Sequence, residues 1–208
     1  MAETLLEMAK PALPQAQRER LPQAQAHAER AADRVNADLA PRMPEFRQRF
    51  SALQTGPDSK MRRLVKIRAL ADDMGAAAAD HAACRKGCSH CCHIPVAMLQ
   101  VEADLIGRAI GVTPRQLKKS VSPEERGFGY HMPCPFLKDN ACSIYEHRPL
   151  SCRVHFNLDA DPLLCELLPE VTVPVPLMNM TPVQTVYIAT LRNEKLGDIR
   201  DFFPDGAP

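Results

Sequence analysis

Cys84-Arg85-Lys86-Gly87-Cys88-Ser89-His90-Cys91-Cys92 places four thiols within nine positions of a 208-residue chain. A Cys-x2-Cys step lets two thiolates converge on one ion, about 2.3 Å from each, with backbone amides left to bond the sulfurs. Gly87 permits the tight turn that such a knuckle needs. Arg85 and Lys86 are expected to lower the pKa of neighbouring thiols and to offset thiolate charge. Cys134, Cys142, Cys152 and Cys165 follow after a gap of 41 residues, in the spacing C-x7-C-x9-C-x12-C. No cysteine lies outside this span, and five of the seven histidines fall inside it: His90, His93, His131, His147 and His155. Buried cysteines often serve as small hydrophobes, but eight within 82 residues outweigh that reading. All eight are candidate metal ligands. His90, His93 and His155 sit near cysteines and could replace a thiol, although each alone reads first as a solvated or supporting residue.

Outward from the cysteines, the chain divides into short pieces. Cys134-Pro135-Phe136-Leu137 and Cys142-Ser143-Ile144-Tyr145 flank Lys138-Asp139-Asn140-Ala141, a turn-forming composition, so a small β-hairpin should present cysteines at its base. Arg148-Pro149-Leu150-Ser151-Cys152-Arg153 brings a third thiol with arginine on either side. From Asp58 to about Ala83, Met61, Leu64, Ile67, Ala71 and Met74 recur at helical steps. Lys60, Arg62, Arg63, Lys66 and Arg68 cover the rest of that helix and read as a solvated surface, because Asp72, Asp73 and Asp80 follow. Val101 to Ile110 can form a short helix with Gly111 as its stop. Thr113-Pro114-Arg115-Gln116 and Ser122-Pro123-Glu124-Glu125 each resemble a capped helix start. Val171 to Pro176 reads as extended, and Thr181-Pro182 opens a final helix through Val183, Val186, Tyr187 and Leu191, ending near Gly197.

Residues 1–57 are rich in Ala, Gln and Arg, with helical spacing from Pro22 through Ala24, Ala28, Ala31, Val35 and Leu39. That stripe is narrow and should bury little area. Thr55-Gly56-Pro57-Asp58 reads as a hinge. The expectation is a mainly α, small and loop-rich fold, with short helices around a cysteine-rich metal-binding core and a small hairpin. Residues 1–57 would form a helical extension and 58–208 the metal-binding domain, with its motif core at 84–166.

Composition narrows the function classes. Lys plus Arg number 26 and Asp plus Glu 25, which gives no global electrostatic case for nucleic acid or an anionic membrane. No apolar run approaches the roughly 20 residues of a spanning helix, and the opening residues lack a signal-peptide pattern. The expected compartment is the cytoplasm, where thiols at this density read as metal ligands rather than disulfides. Nineteen prolines, nine glycines and no tryptophan imply an aliphatic core broken into short elements.

The C-x3-C-x2-C-C cluster, followed by C-P-F-L, C-S-I-Y, R-P-L-x-C-R and a trailing Cys165-Glu166, resembles the bacterial cysteine-cluster family described as zinc- or iron-chelating proteins. The resemblance implies a bound metal and says little of activity. A related cluster occurs in flagellin lysine methylases, where it is associated with an iron–sulfur cluster. Eight thiols could supply two tetrahedral zinc sites, or the four ligands of an iron–sulfur cluster with others to spare. Cys91 and Cys92, being adjacent, point apart in most backbone conformations and could serve different ions.

Three functional readings follow. The first is a transition-metal-binding protein holding zinc or iron through cysteine thiolates, in a structural or carrier role, with the metal and another protein as partners. The second is a metal-dependent protein-modifying or redox enzyme related to the flagellin lysine methylases. Against it, the chain has no G-x-G-x-x-G, Walker or H-E-x-x-H motif. Among the carboxylates near the cysteines, Glu102, Asp104 and Glu166 are expected at the surface. The third is a zinc-finger-like nucleic-acid binder, which a weak excess of 10 basic over 8 acidic residues between Cys84 and Cys165 does little to support.

Overall fold

The computed structural model describes residues 12–85, 87–123 and 127–206. Three long helices open the described chain: α1 (Gln15–Leu39), α2 (Met43–Thr55) and α3 (Lys60–Ala76). α1 starts seven residues before the expected Pro22, which lies inside it. A proline there removes one internal hydrogen bond. Contacts outside the helix offset the loss, notably the ion pair of Arg20 with the buried Asp159. The stripe of Ala24, Ala28, Ala31, Val35 and Leu39 is buried throughout. Its small side chains let α1 lie close to the larger residues that complete the core, among them Phe46 and Leu53 from α2 and Leu64, Ile67 and Leu70 from α3.

α3 has the expected face, with Leu64, Ile67, Ala71 and Met74 buried and Met61 packed at the margin. Ser59 caps it, its hydroxyl accepting from the Arg62 amide. The basic residues of its outer face are engaged within the chain: Lys60 with Glu194, Lys66 with Asp58, and Arg63 with the Gly56 carbonyl.

After the cysteine cluster come β1 (Ala97–Leu99) and α4 (Gln100–Ile110). Gly111 ends α4 at φ +72°, a left-handed stop that glycine adopts without strain. No helix forms at Thr113-Pro114-Arg115-Gln116. The Arg115 amide donates to the Phe202 carbonyl at 2.8 Å, and the Leu117 amide donates to the Gln100 side chain at 3.0 Å. The amide of Leu117, which a helix capped at Thr113 would have used internally, is thus taken by a tertiary partner. In the second expected helix start, Glu124 and Glu125 lie outside the described residues.

The hairpin forms as expected, from β2 (Leu137–Lys138) and β3 (Ala141–Cys142), with Leu137 opposite Cys142. Asp139 at φ +50° and Asn140 at φ +58° make the left-handed two-residue turn that Asx residues favour. Cys152 lies in α5 (Leu150–Arg153). Residues 172–176 form no named strand, and the Leu158 amide donates to the Pro176 carbonyl.

α6 (Thr181–Thr190) starts where expected but stops short of Gly197. The chain continues as β4 (Leu196–Asp198), antiparallel to β1 with Met98 opposite Gly197, and as α7 (Ile199–Phe202). Tertiary pairing with β1 thus replaces the last turns of the expected helix. Asp198 and Asp201 form a reciprocal cap on α7.

Two apolar clusters result. The larger joins α1, α2, α3 and α6, and the smaller gathers Val96, Phe136, Ile144, Ile199, Phe202 and Phe203 around the cysteines. The fold is mainly helical, as the sequence implied, though α1 runs to 25 residues. Among the described residues, no helix is long and apolar enough to cross a membrane.

Candidate metal centre

Four separate segments deliver the thiols. In the first, the Cys88 amide donates to the Arg85 carbonyl, and Gly87 turns the chain at φ +93°. A Cβ at Gly87 would meet no heavy atom within 4 Å, so backbone conformation rather than space requires glycine. Lys86 lies outside the described residues. Cys91 and Cys92 fall in a single 3-10 turn, His90–His93. Three residues per turn sets adjacent side chains about 120° apart, yet the two thiols stay close enough to share a hydrogen bond.

The second segment docks directly on the first, because the Cys134 amide donates to the Cys92 carbonyl at 2.7 Å. Arg200 of α7 clamps the junction. Its guanidinium donates to the carbonyls of Cys92, Met132, Pro133 and Ile94, and it pairs with the buried Asp198. Asp198 in turn accepts from the Val96 amide at 2.7 Å. The sequence pattern gave no sign of Arg200, since its partners are carbonyls that leave no mark in a motif.

Seven of the eight cysteines, all but Cys165, line one cavity of about 130 Å³. Cys165 lines an adjoining groove of about 280 Å³ together with Cys91, His90 and His155. The chain brings the whole predicted set to one place. None of the eight is in a disulfide; Cys134 is buried and the others are half-buried. Among the described residues, no three Cys, His, Asp or Glu side chains are drawn in around a common point tightly enough to hold an ion as they stand.

Burial dominates the thiol acidities. It pushes Cys134 up to about 11 and Cys165 up to about 12, and raises Cys84, Cys142 and Cys152 as well. Arg85 does lower Cys84, but the cost of burial exceeds it, so the expected acidification by Arg85 is reversed there. Cys91 is the exception. A hydrogen bond from Cys92 lowers it to about 7, with help from the charge of Arg148. Cys92 is raised by the same bond, so the pair keeps its proton on Cys92 and its negative charge on Cys91. Arg148 lines the cavity and stacks 4.0 Å over the Tyr145 ring. Arg153, on the other side of Cys152, turns away to Asp72 at 2.6 Å.

Asn157 is the second residue that the sequence did not reveal. It is fully buried; its amide donates to the Cys84 sulfur at 3.3 Å and its side-chain NH2 donates to the Cys165 sulfur at 3.3 Å. Such N–H···S bonds favour the thiolate form. Of the histidines, His155 lines both the cavity and the groove, and burial lowers its pKa so that it is neutral and able to ligate. His90 lines the groove with Nδ1 3.0 Å from the Tyr130 hydroxyl, whereas His93 is buried with its ring 4.9 Å from that of Tyr130. His131 and His147 line neither space.

The carboxylates differ from expectation at one position. Glu102 is wholly buried, not at the surface, and accepts from the Leu150 amide and the Tyr187 hydroxyl, each at 2.8 Å. Its burial raises its pKa. Asp104 accepts from Gln100 and Gln116, and Glu166 from Gln17.

Residues 83–170 match the family model CxxCxxCC, described as a "putative zinc- or iron-chelating domain". The matched segment contains all eight cysteines and bears out the family resemblance read from the motif. No curated protein and no solved structure matches the chain.

Proposed function

We propose that this is a metal-binding protein that holds zinc or iron through cysteine thiolates, with the metal organising the 84–166 region or being carried by it. One observation supports the reading above others: four segments far apart in sequence put seven thiols around one cavity, with the eighth alongside. Sulfur donors suit zinc and iron–sulfur clusters equally, and eight unpaired thiols fit a reducing compartment, the cytoplasm. The ligands come together by rotation of cysteine side chains that already share the cavity. Each protonated thiol that binds releases its proton, so ligation draws on the acidity of Cys91 first and on higher pH for the others.

Within the site, the chain's own residues have distinct tasks. Asn157 donates to two sulfurs, Arg200 fixes the junction of the first two cysteine segments, and Arg85 and Arg148 offset thiolate charge at the cavity wall. The test is metal analysis and visible absorption of protein purified without oxygen. Bound iron with sulfide and a brown colour assigns iron–sulfur chemistry, and a colourless protein with bound zinc assigns a structural or carrier site. Absence of any stoichiometric metal, after anaerobic reconstitution with either, overturns the reading.

A further inference from the structure

Three observations bear on how the eight cysteines divide. The first is packing. Cys134 belongs to the smaller apolar cluster, and Cys92, Cys142 and Cys152 pack against it; none of the other four does. The second is electrostatic proximity. Cys152 feels the charges of Cys134 and Cys142, Cys92 those of Cys134 and Cys152, and Cys165 those of Cys84, Cys88 and Cys91. Cys91 also acts on Cys92, Cys142 and Cys152, so it stands at the boundary of the two groups. The third is hydrogen bonding. Asn157 joins Cys84 to Cys165 across 81 positions of sequence, and Cys165 shares the outer groove with Cys91. The 3-10 turn sets Cys91 and Cys92 about 120° apart, and the hydrogen bond between their thiols puts them where the two groups meet.

Resting on the metal-binding reading above, we infer that the chain holds two separate four-thiolate metal sites: an inner one from Cys92, Cys134, Cys142 and Cys152, and an outer one from Cys84, Cys88, Cys91 and Cys165. Four thiolates complete a tetrahedral zinc site and equally a four-cysteine iron–sulfur site. The inner set is backed by Phe136, Phe202 and Phe203, each at most 2% exposed, which cover one side of it with apolar surface. The outer set borders the groove, with His90 and His155 beside it. A metal in the outer site is therefore the first to exchange, and the inner one is retained. The charge of Cys91 acts on Cys142 and Cys152, so filling one site alters the charge that the other experiences.

The probe is zinc alone, added to the reduced, metal-free full-length chain and counted by native mass spectrometry. The expected result is two equivalents bound. Cys88→Ser and Cys142→Ser should each bind one, and the double variant none. Binding of one equivalent by the parent chain, or loss of all zinc from both single variants, overturns the division while leaving the metal-binding reading intact. No zinc, cobalt or iron bound by the parent chain overturns that reading itself. A second measurement does not depend on the variants folding: the parent chain is stripped by chelator to one zinc, treated with an alkylating reagent and mapped by peptide. Modification should fall on Cys84, Cys88, Cys91 and Cys165, and modification spread over both sets overturns the division.

Discussion

The two halves of this molecule are held together by different means. The α1, α2, α3 and α6 layer is built on periodic stripes of Ala, Leu, Ile and Val that bury one face of each helix. α6 joins it from far along the chain, packing against both α2 and α3. The cysteine-bearing half consists of two-residue strands, single turns and a four-residue helix, and its own apolar cluster is the smaller of the two. Such short elements gain little from local hydrogen bonding, so they need cross-links between segments. Here those cross-links are Arg200, Asn157, the Cys134–Cys92 backbone bond and the thiols themselves. One half is stable through burial, the other through convergence.

Removal of metal should separate the halves most strongly. A structural zinc can contribute on the order of 10–16 kcal/mol, so chelation should abolish amide protection across 84–93 and 134–166 while α2, α3 and α6 keep theirs. Hydrogen exchange read by mass spectrometry checks this, and equal loss along the whole chain would break the contrast. Two substitutions of similar cost then act on opposite sides. Arg200→Ala strands the buried Asp198 charge and should cost about 3–5 kcal/mol, lowering zinc affinity as well as the melting temperature. Phe46→Ala empties a fully buried site in the helical layer at about 3–5 kcal/mol, with zinc stoichiometry unchanged. Calorimetry together with metal titration distinguishes the two.

Smaller effects sharpen the same contrast. Folding raises Cys134 to about 11 and Cys165 to about 12 from an ordinary 9.0, so the native chain binds more protons than the unfolded chain between these values. The stability this confers is fully present below pH 9 and is lost as pH rises toward 12. The melting temperature of the reduced, metal-free protein should therefore fall between pH 8 and 10 by more than that of zinc-loaded protein, in which the thiols are already deprotonated. Smallest of all, Glu102→Gln keeps the shape and the acceptor for the Leu150 amide, and should change stability by about 1 kcal/mol. Urea melts of the two proteins measure it, and a loss of several kcal/mol would show that the carboxyl does more than accept these bonds.

The division also decided what could be read from sequence. Periodicity located the buried faces of α1 and α3, Gly111 marked the end of α4, and Asp139-Asn140 marked the hairpin turn. Each is a local property of the chain. The failures lay where a distant partner supplied a bond: Gln100 took the Leu117 amide of a helix expected at Thr113, and β1 claimed residues expected to extend α6. The cysteines were legible as a set because their density is improbable. Their arrangement was not, because it depends on Asn157 and Arg200, whose partners are up to 108 positions away. Glu102 was misplaced for a related reason. Nothing in its neighbours on α4 indicates that Tyr187, 85 positions on, will cover it.

The grip of α1 on the loop before Cys165 has a thermodynamic consequence. Arg20 pairs with Asp159, His27 Nδ1 lies 2.8 Å from the Leu158 carbonyl, and Gln17 donates to Glu166. The loop they hold carries both the Asn157 side chain and the Cys165 sulfur. Any free energy by which α1 favours that arrangement must be returned in kind: a metal that prefers the ordered loop tightens the docking of α1 by the same factor that α1 tightens the metal. The first described helix is thus an energetic reporter of an ion it never touches, and a protein that pulled α1 away would loosen the metal without approaching a single cysteine.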